Sequence, residues 1–136
     1  MVIHGTVDPL NRPYIRVEAP GNHSVLLIVD TGFNRPLLVN RHIMYRLGLE
    51  NCTIDTDVGP ERMELGDYSQ SEALVGLVRI IWFGQERLVD CLVTTQIPQR
   101  PPREDEPVGL LGTELLLDCQ LSIDFPARSL KIQRSA

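Results

Sequence analysis

Apolar and polar positions fall into short blocks along this chain, and most blocks carry the two-residue alternation of strands. Tyr14-Ile15-Arg16-Val17-Glu18 alternates apolar and charged, which predicts one buried and one wet face. Ala19-Pro20-Gly21-Asn22 follows as a turn. Val25-Leu26-Leu27-Ile28-Val29 does not alternate at all, so it predicts a strand buried on both faces. The two strands make an antiparallel hairpin that delivers the chain to Asp30.

The same reading runs through the rest of the sequence. Val2-Ile3, closed by Gly5, predicts a short end piece that is frayed or paired with a neighbouring chain's terminus. Leu37-Leu38-Val39 is another short strand. Asn40 can cap a helix over residues 41–47, with Ile43, Met44 and Leu47 on one face and Gly48 closing it. Residues 53–58 are extended and polar, and Gly66-Asp67-Tyr68-Ser69 is a polar turn. Residues 71–83 are β-rich and alternate too little for a clean wet face, which predicts cover on both sides. Gly84-Gln85 suits a two-residue hairpin turn with residues 88–94 returning as the partner, and Trp82 is a core residue. Residues 96–107, with four prolines among charged side chains, predict a solvated loop. Residues 108–112 form an apolar strand ending in glycine. Thr113 then caps a short helix through Leu117. Residues 120–125 and 129–133 alternate as two final strands. The pattern predicts a single all-β, barrel-like domain over residues 1–136 with two short helices.

Composition narrows the function classes. A net charge of −5 with thirteen scattered Lys and Arg gives no basic face for phosphate contact, so no nucleic-acid partner is expected. No apolar run is long enough to span a bilayer, and no signal-like lead opens the chain, so a cytoplasmic protein without a membrane partner is expected. Cys52, Cys91 and Cys119 are far apart and make no C-x-x-C pair, which predicts reduced thiols. Neither the cysteines nor His4, His23 and His42 have ligand spacing, so no metal and no cofactor are expected.

Asp30 is the position that calls for a reason. A carboxylate at the end of a buried strand is costly unless it is hydrogen-bonded or paired. Asp30-Thr31-Gly32 is also ordinary turn chemistry, with Gly32 available for a positive φ. About eighty residues on, Leu110-Leu111-Gly112 precedes the second short helix.

These two strings, in this order, resemble those of the retropepsins, the retroviral-type single-domain aspartic proteases of clan AA. The strings Asp30-Thr31-Gly32-Phe33-Asn34 and Leu110-Leu111-Gly112-Thr113-Glu114-Leu115-Leu116 are most similar to the small prokaryotic members with phenylalanine after the glycine. The resemblance implies a closed β-barrel with the active site at a homodimer interface. It implies that Asp30 is catalytic, with Thr31 and Gly32 supporting the loop, and that Leu110, Leu111 and Gly112 pack on that loop. It implies further that Phe33 and Asn34, with Gly66, Asp67 and Tyr68 as the flap tip, line the substrate groove. Two adjacent carboxylates share one proton and act as general acid and base on a bound water. The sequence holds one Asp-Thr-Gly, so the second aspartate has to come from another copy.

The chain departs from the retroviral pattern at three places. Phe33 stands where a small residue is usual, Gly66 is the lone glycine near the expected flap tip, and Thr113 replaces an arginine. The expected function is a homodimeric aspartic endopeptidase acting on peptide or protein substrates. The alternative is a non-catalytic peptide-binding or dimerisation module on the same fold, with Asp30 structural.

Overall fold

A computed structural model describes residues 1–40, 43, 47, 61–64, 70–94, 103 and 105–135. Among the described residues ten strands run in order: β1 (Val2–Val7), β2 (Pro13–Ala19), β3 (His23–Val29), β4 (Leu37–Val39), β5 (Glu61–Glu64), β6 (Gln70–Trp82), β7 (Gln85–Thr94), β8 (Pro107–Leu111), β9 (Cys119–Asp124) and β10 (Ser129–Arg134). Six of them close a barrel in the order β6-β7-β4-β8-β3-β2, and the ring is completed where Glu18 of β2 pairs with Ile81 of β6. The fold is therefore all-β, as the alternation predicts. β1, β10 and β9 continue the sheet outward from β2, and β5 continues it from β6.

The inward positions are the apolar ones of each strand. Ile15, Val17, Leu27, Leu37, Val39, Ile80, Trp82, Cys91, Val93 and Leu111 meet in one buried core. Each fully buried aliphatic side chain contributes about 1.5–3 kcal/mol. β3 lies between β2 and β8, and only Ile28 of its apolar run is partly open, in keeping with its unbroken pattern. β3 pairs with β8 in parallel, Val29 beside Leu111, so the ends of the two key strings are side by side.

Several local expectations are corrected. The N-terminal piece is neither frayed nor paired with another chain: β1 runs six residues and pairs with both β10 and β2 of its own chain. Gly5 does not close that strand but sits within it. A Cβ there would meet Tyr14 O, Ile15 Cγ2 and Leu130 Cγ, so glycine is what lets β1 lie against its neighbours. β6 is not covered on both sides, because Gly76, Val78, Ile80 and Trp82 point inward while Leu77 and Arg79 are exposed. The β6–β7 turn is Phe83-Gly84, not Gly84-Gln85, since Trp82 pairs with Gln85. Both turn residues have positive φ, 51° and 79°, as a type I′ turn requires. The Phe83 ring is buried edge-on to Trp82 at 5.2 Å, with the Arg134 guanidinium 5.5 Å from its centroid, which holds a bulky residue in that conformation.

The second expected helix is a single 3₁₀ turn, Thr113–Leu116, whose cap position is Gly112 with no side-chain cap bond. Thr113 is its first residue rather than its cap. Most of the first expected helix, over residues 41–47, lies outside the described residues. Within it Ile43 and Leu47 are buried, linked by the Leu47 N–H donating to Ile43 O at 3.1 Å. The extended segment expected at 53–58, the turn at 66–69 and most of the loop at 96–107 also lie outside the described residues. Among the described residues no helix is long and apolar enough to cross a membrane.

Cys119 makes a checkable point about thiol chemistry. It is half-buried at the start of β9, with Sγ 3.4 Å from Asp118 Oδ1. Burial, then the hydrogen bond and negative charge of Asp118, push its thiol up to about 11. Thiolate is the reactive form, so alkylation of Cys119 at pH 8 should be roughly a hundredfold slower than that of an unhindered cysteine. Peptide mapping after timed iodoacetamide labelling measures this directly.

Candidate active site

The chain leaves the barrel wall at Asp30 and turns at once. The Asp30 N–H donates to Leu111 O at 2.9 Å, which extends the β3–β8 pairing by one bond. Asp30 Oδ1 accepts the Gly32 N–H at 2.9 Å, and the Phe33 N–H donates to Asp30 O at 3.2 Å. The carboxylate is thus fixed by the loop that follows it while remaining partly open to solvent. Gly32 does not take a positive φ, contrary to the turn reading. A Cβ at Gly32 would stand 3.3 Å from Asp30 Oδ1, so its smallness leaves room for the carboxylate.

The second string locks this loop from below. Gly112 N–H donates to Pro36 O at 2.9 Å and Thr113 N–H to Phe33 O at 2.8 Å. The Thr113 hydroxyl reaches the same carbonyl at 3.4 Å, a weak contact. A Cβ on Gly112 would overlap Arg35 O and lie 2.5 Å from Phe33 O and 2.6 Å from the Phe33 ring. Leu111 is in the barrel core. Leu110 turns outward onto a smaller apolar cluster of Phe33, Leu38 and Leu92, with Val75 beside it. Asp30, Phe33, Leu111, Gly112 and Thr113 therefore form one hydrogen-bonded unit.

The remaining expected site residues are placed as follows. Thr31 and Asn34 are exposed, and among the described residues the Thr31 hydroxyl makes no hydrogen bond, so the turn is held by backbone amides instead. The Phe33 ring is buried against Leu38 and Leu92 and does not fill open space beside Asp30. Gly66, Asp67 and Tyr68 lie outside the described residues. Among the described residues no three His, Cys, Asp or Glu side chains gather as metal ligands.

Sequence reasoning missed the loop that leads from β1 into β2. Arg12 is tied to Asp8 in the β1–β2 loop. Asp8 Oδ1 accepts the Leu10 and Arg12 amides at 2.9 and 2.8 Å, while Oδ2 accepts Arg12 Nε at 2.8 Å. The guanidinium of Arg128 also donates to Asp8 O. Among the described residues Asp8 is the one buried charged residue, and it is engaged as a loop anchor. The signal for it was present in Asp8-Pro9 and in the Arg12 four residues later, but loop anchoring has no fixed spacing.

Burial alone would raise the Asp8 carboxyl, but the Arg12 amide and guanidinium and the Leu10 amide outweigh it and hold it below its ordinary 3.8. A depressed carboxyl stabilises the fold above its unfolded value and loses that contribution as the pH falls through the folded value. Asp8→Ala should therefore destabilise by about 1–3 kcal/mol near neutrality. The gap between variant and wild type, followed by urea melts, should narrow as the pH is taken below 3.8.

No protein-family model matches the chain, and the search of curated proteins returns no match.

Proposed function

We propose that the protein is a homodimeric aspartic endopeptidase, in the manner of the retropepsins, that hydrolyses peptide bonds with Asp30 and its twofold mate. The observation that carries this reading is the state of Asp30. Its carboxylate stands at the end of a barrel strand, oriented by the Gly32 amide and open to solvent, on a loop locked to Leu111, Gly112 and Thr113. An acid whose only task was to close a turn would resemble Asp124, whose Oδ1 caps its own hairpin at the Ala127 amide on an exposed edge. No barrel element is needed to hold such a turn.

The chemistry follows from two such carboxylates sharing one proton. The ionised one takes a proton from a water held between them, and the water oxygen attacks the peptide carbonyl carbon. The protonated one gives its proton to the carbonyl oxygen. Collapse of the resulting diol returns a proton to the leaving nitrogen, and no covalent enzyme intermediate forms. The bulk of Phe33, unusual at this position, is taken up in the Leu38–Leu92 cluster, which supports the catalytic reading. Cys119 is a free thiol, which fits a cytoplasmic setting.

The test is cleavage of a mixed peptide library by purified protein from acidic to neutral pH, with and without a statine-type inhibitor. Cleavage that the inhibitor blocks supports the reading. Absence of cleavage from a protein that is dimeric in solution overturns it in favour of a binding module.

A further inference from the structure

The outer face of the β6–β7 hairpin carries a pattern that the barrel itself does not use. Across this face Leu77 is paired with Asp90 and Arg79 with Leu88. Leu77 is 45% and Leu88 55% exposed, and Arg79 and Asp90 are exposed too. Sheet faces gain stability when opposite charges, or two apolar groups, stand directly across from each other. Here each charge faces a leucine instead. The two leucines take one diagonal of a four-residue block, and Arg79 and Asp90 take the other. Within the chain Arg79 has Glu86 at 3.8 Å, both side chains more than half exposed, and such a contact is worth little. One step along the strands Val75 pairs with Leu92, so the block continues into the apolar cluster around Leu38 and Phe33.

We propose that this block is a self-association surface whose partner is a second copy of the chain. Its checkerboard is complementary to itself in one way only. A twofold axis along the Leu77–Leu88 diagonal lays each leucine on its own counterpart and sets Arg79 against the partner's Asp90, twice. An axis along or across the strands would put every charge over a leucine or over the wrong neighbour. The contact is isologous, as closed symmetric pairs require, and it crosses the two hairpins steeply, one of the two common ways in which sheets pack. The surface is distinct from the Asp30 loop. Added to a pairing of the Asp30 loops, it builds an assembly larger than a dimer.

Sedimentation of the intact protein over a range of concentrations tests this with Arg79→Asp, Asp90→Arg and the double exchange. All three changes are on exposed side chains, and circular dichroism verifies the fold. Each single change sets like charges together and should weaken this association by about a hundredfold or more. The double exchange should restore it, and added salt should weaken the wild-type contact. Identical mass distributions for all four proteins, or a double exchange that does not restore association, overturn the proposal. Peptide cleavage in the same samples reports the Asp30 pairing separately. An inactive protein whose mass still follows the exchanges keeps this surface and removes the protease reading.

Discussion

Asp30→Asn is expected to abolish peptide cleavage while leaving the fold in place. The amide is close in shape to the carboxylate, and its oxygen can still accept the Gly32 N–H that holds Oδ1 at 2.9 Å. What it cannot do is take a proton from water. General acid–base groups of this kind contribute about a hundredfold to ten-thousandfold, so the rate should fall by about a thousandfold or more. The melting temperature should move by about 2 °C at most, as for substitutions that remove no packing. A variant that retains cleavage near the wild-type rate would mean that Asp30 is a turn residue and that the activity comes from elsewhere.

Gly112→Ala is expected to be the most damaging single methyl group in the chain's second string. The added carbon would overlap Arg35 O and press on both the carbonyl and the ring of Phe33. The Phe33 carbonyl is already fixed by accepting the Thr113 amide, and the carbonyl of Pro36, the residue after Arg35, by accepting the Gly112 amide. Neither side can yield without breaking a bond that ties the Asp30 loop to β8. Overpacking of this kind costs typically 1–3 kcal/mol, and with bonds lost besides, about 3 kcal/mol or more is expected. For a chain of this size that is a fall of roughly 10 °C in melting temperature. Activity should fall further than stability, because the strain is delivered to the loop that aims Asp30. A melt within about 2 °C of wild type would show that the loop is softer than its bonding indicates.

How much of this was legible in the sequence depends on where the information lies. Strands alternating with charge, and the two-face burial of β3, were readable because side-chain burial follows a period of two, whereas β6, with an apolar Leu77 on its wet face, was not. The hairpin into Asp30 and the meeting of the Asp30 and Leu111 strings belong to that class, although the latter also needed the resemblance to suggest it. Turn register was less readable. Gly84 marked the β6–β7 turn, but whether it stood first or second depended on the Trp82–Gln85 pair and on Phe83 tolerating a positive φ. The role of Gly5 was not readable at all, and that of Gly112 only through the resemblance, because close approach is a property of what stands opposite, Tyr14 and Ile15 in one case and Arg35 and Phe33 in the other. Asp8 was hidden for the same reason. Two of its partners are backbone amides, which carry no sequence signature, and the third, the Arg12 side chain four residues on, marks such an anchor by no fixed spacing.

The most direct test of the central claim, that one active site is made from two Asp30 residues, is a subunit-mixing titration. Wild type and Asp30→Asn are combined in varying ratios at constant total protein, allowed to exchange, and assayed for peptide cleavage. If both aspartates are needed, only dimers of two wild-type chains cut, so an equal mixture keeps about a quarter of full activity and the whole curve follows the square of the wild-type fraction. A straight line, with about half the activity at equal mixing, would show that each chain works alone and would contradict the shared site.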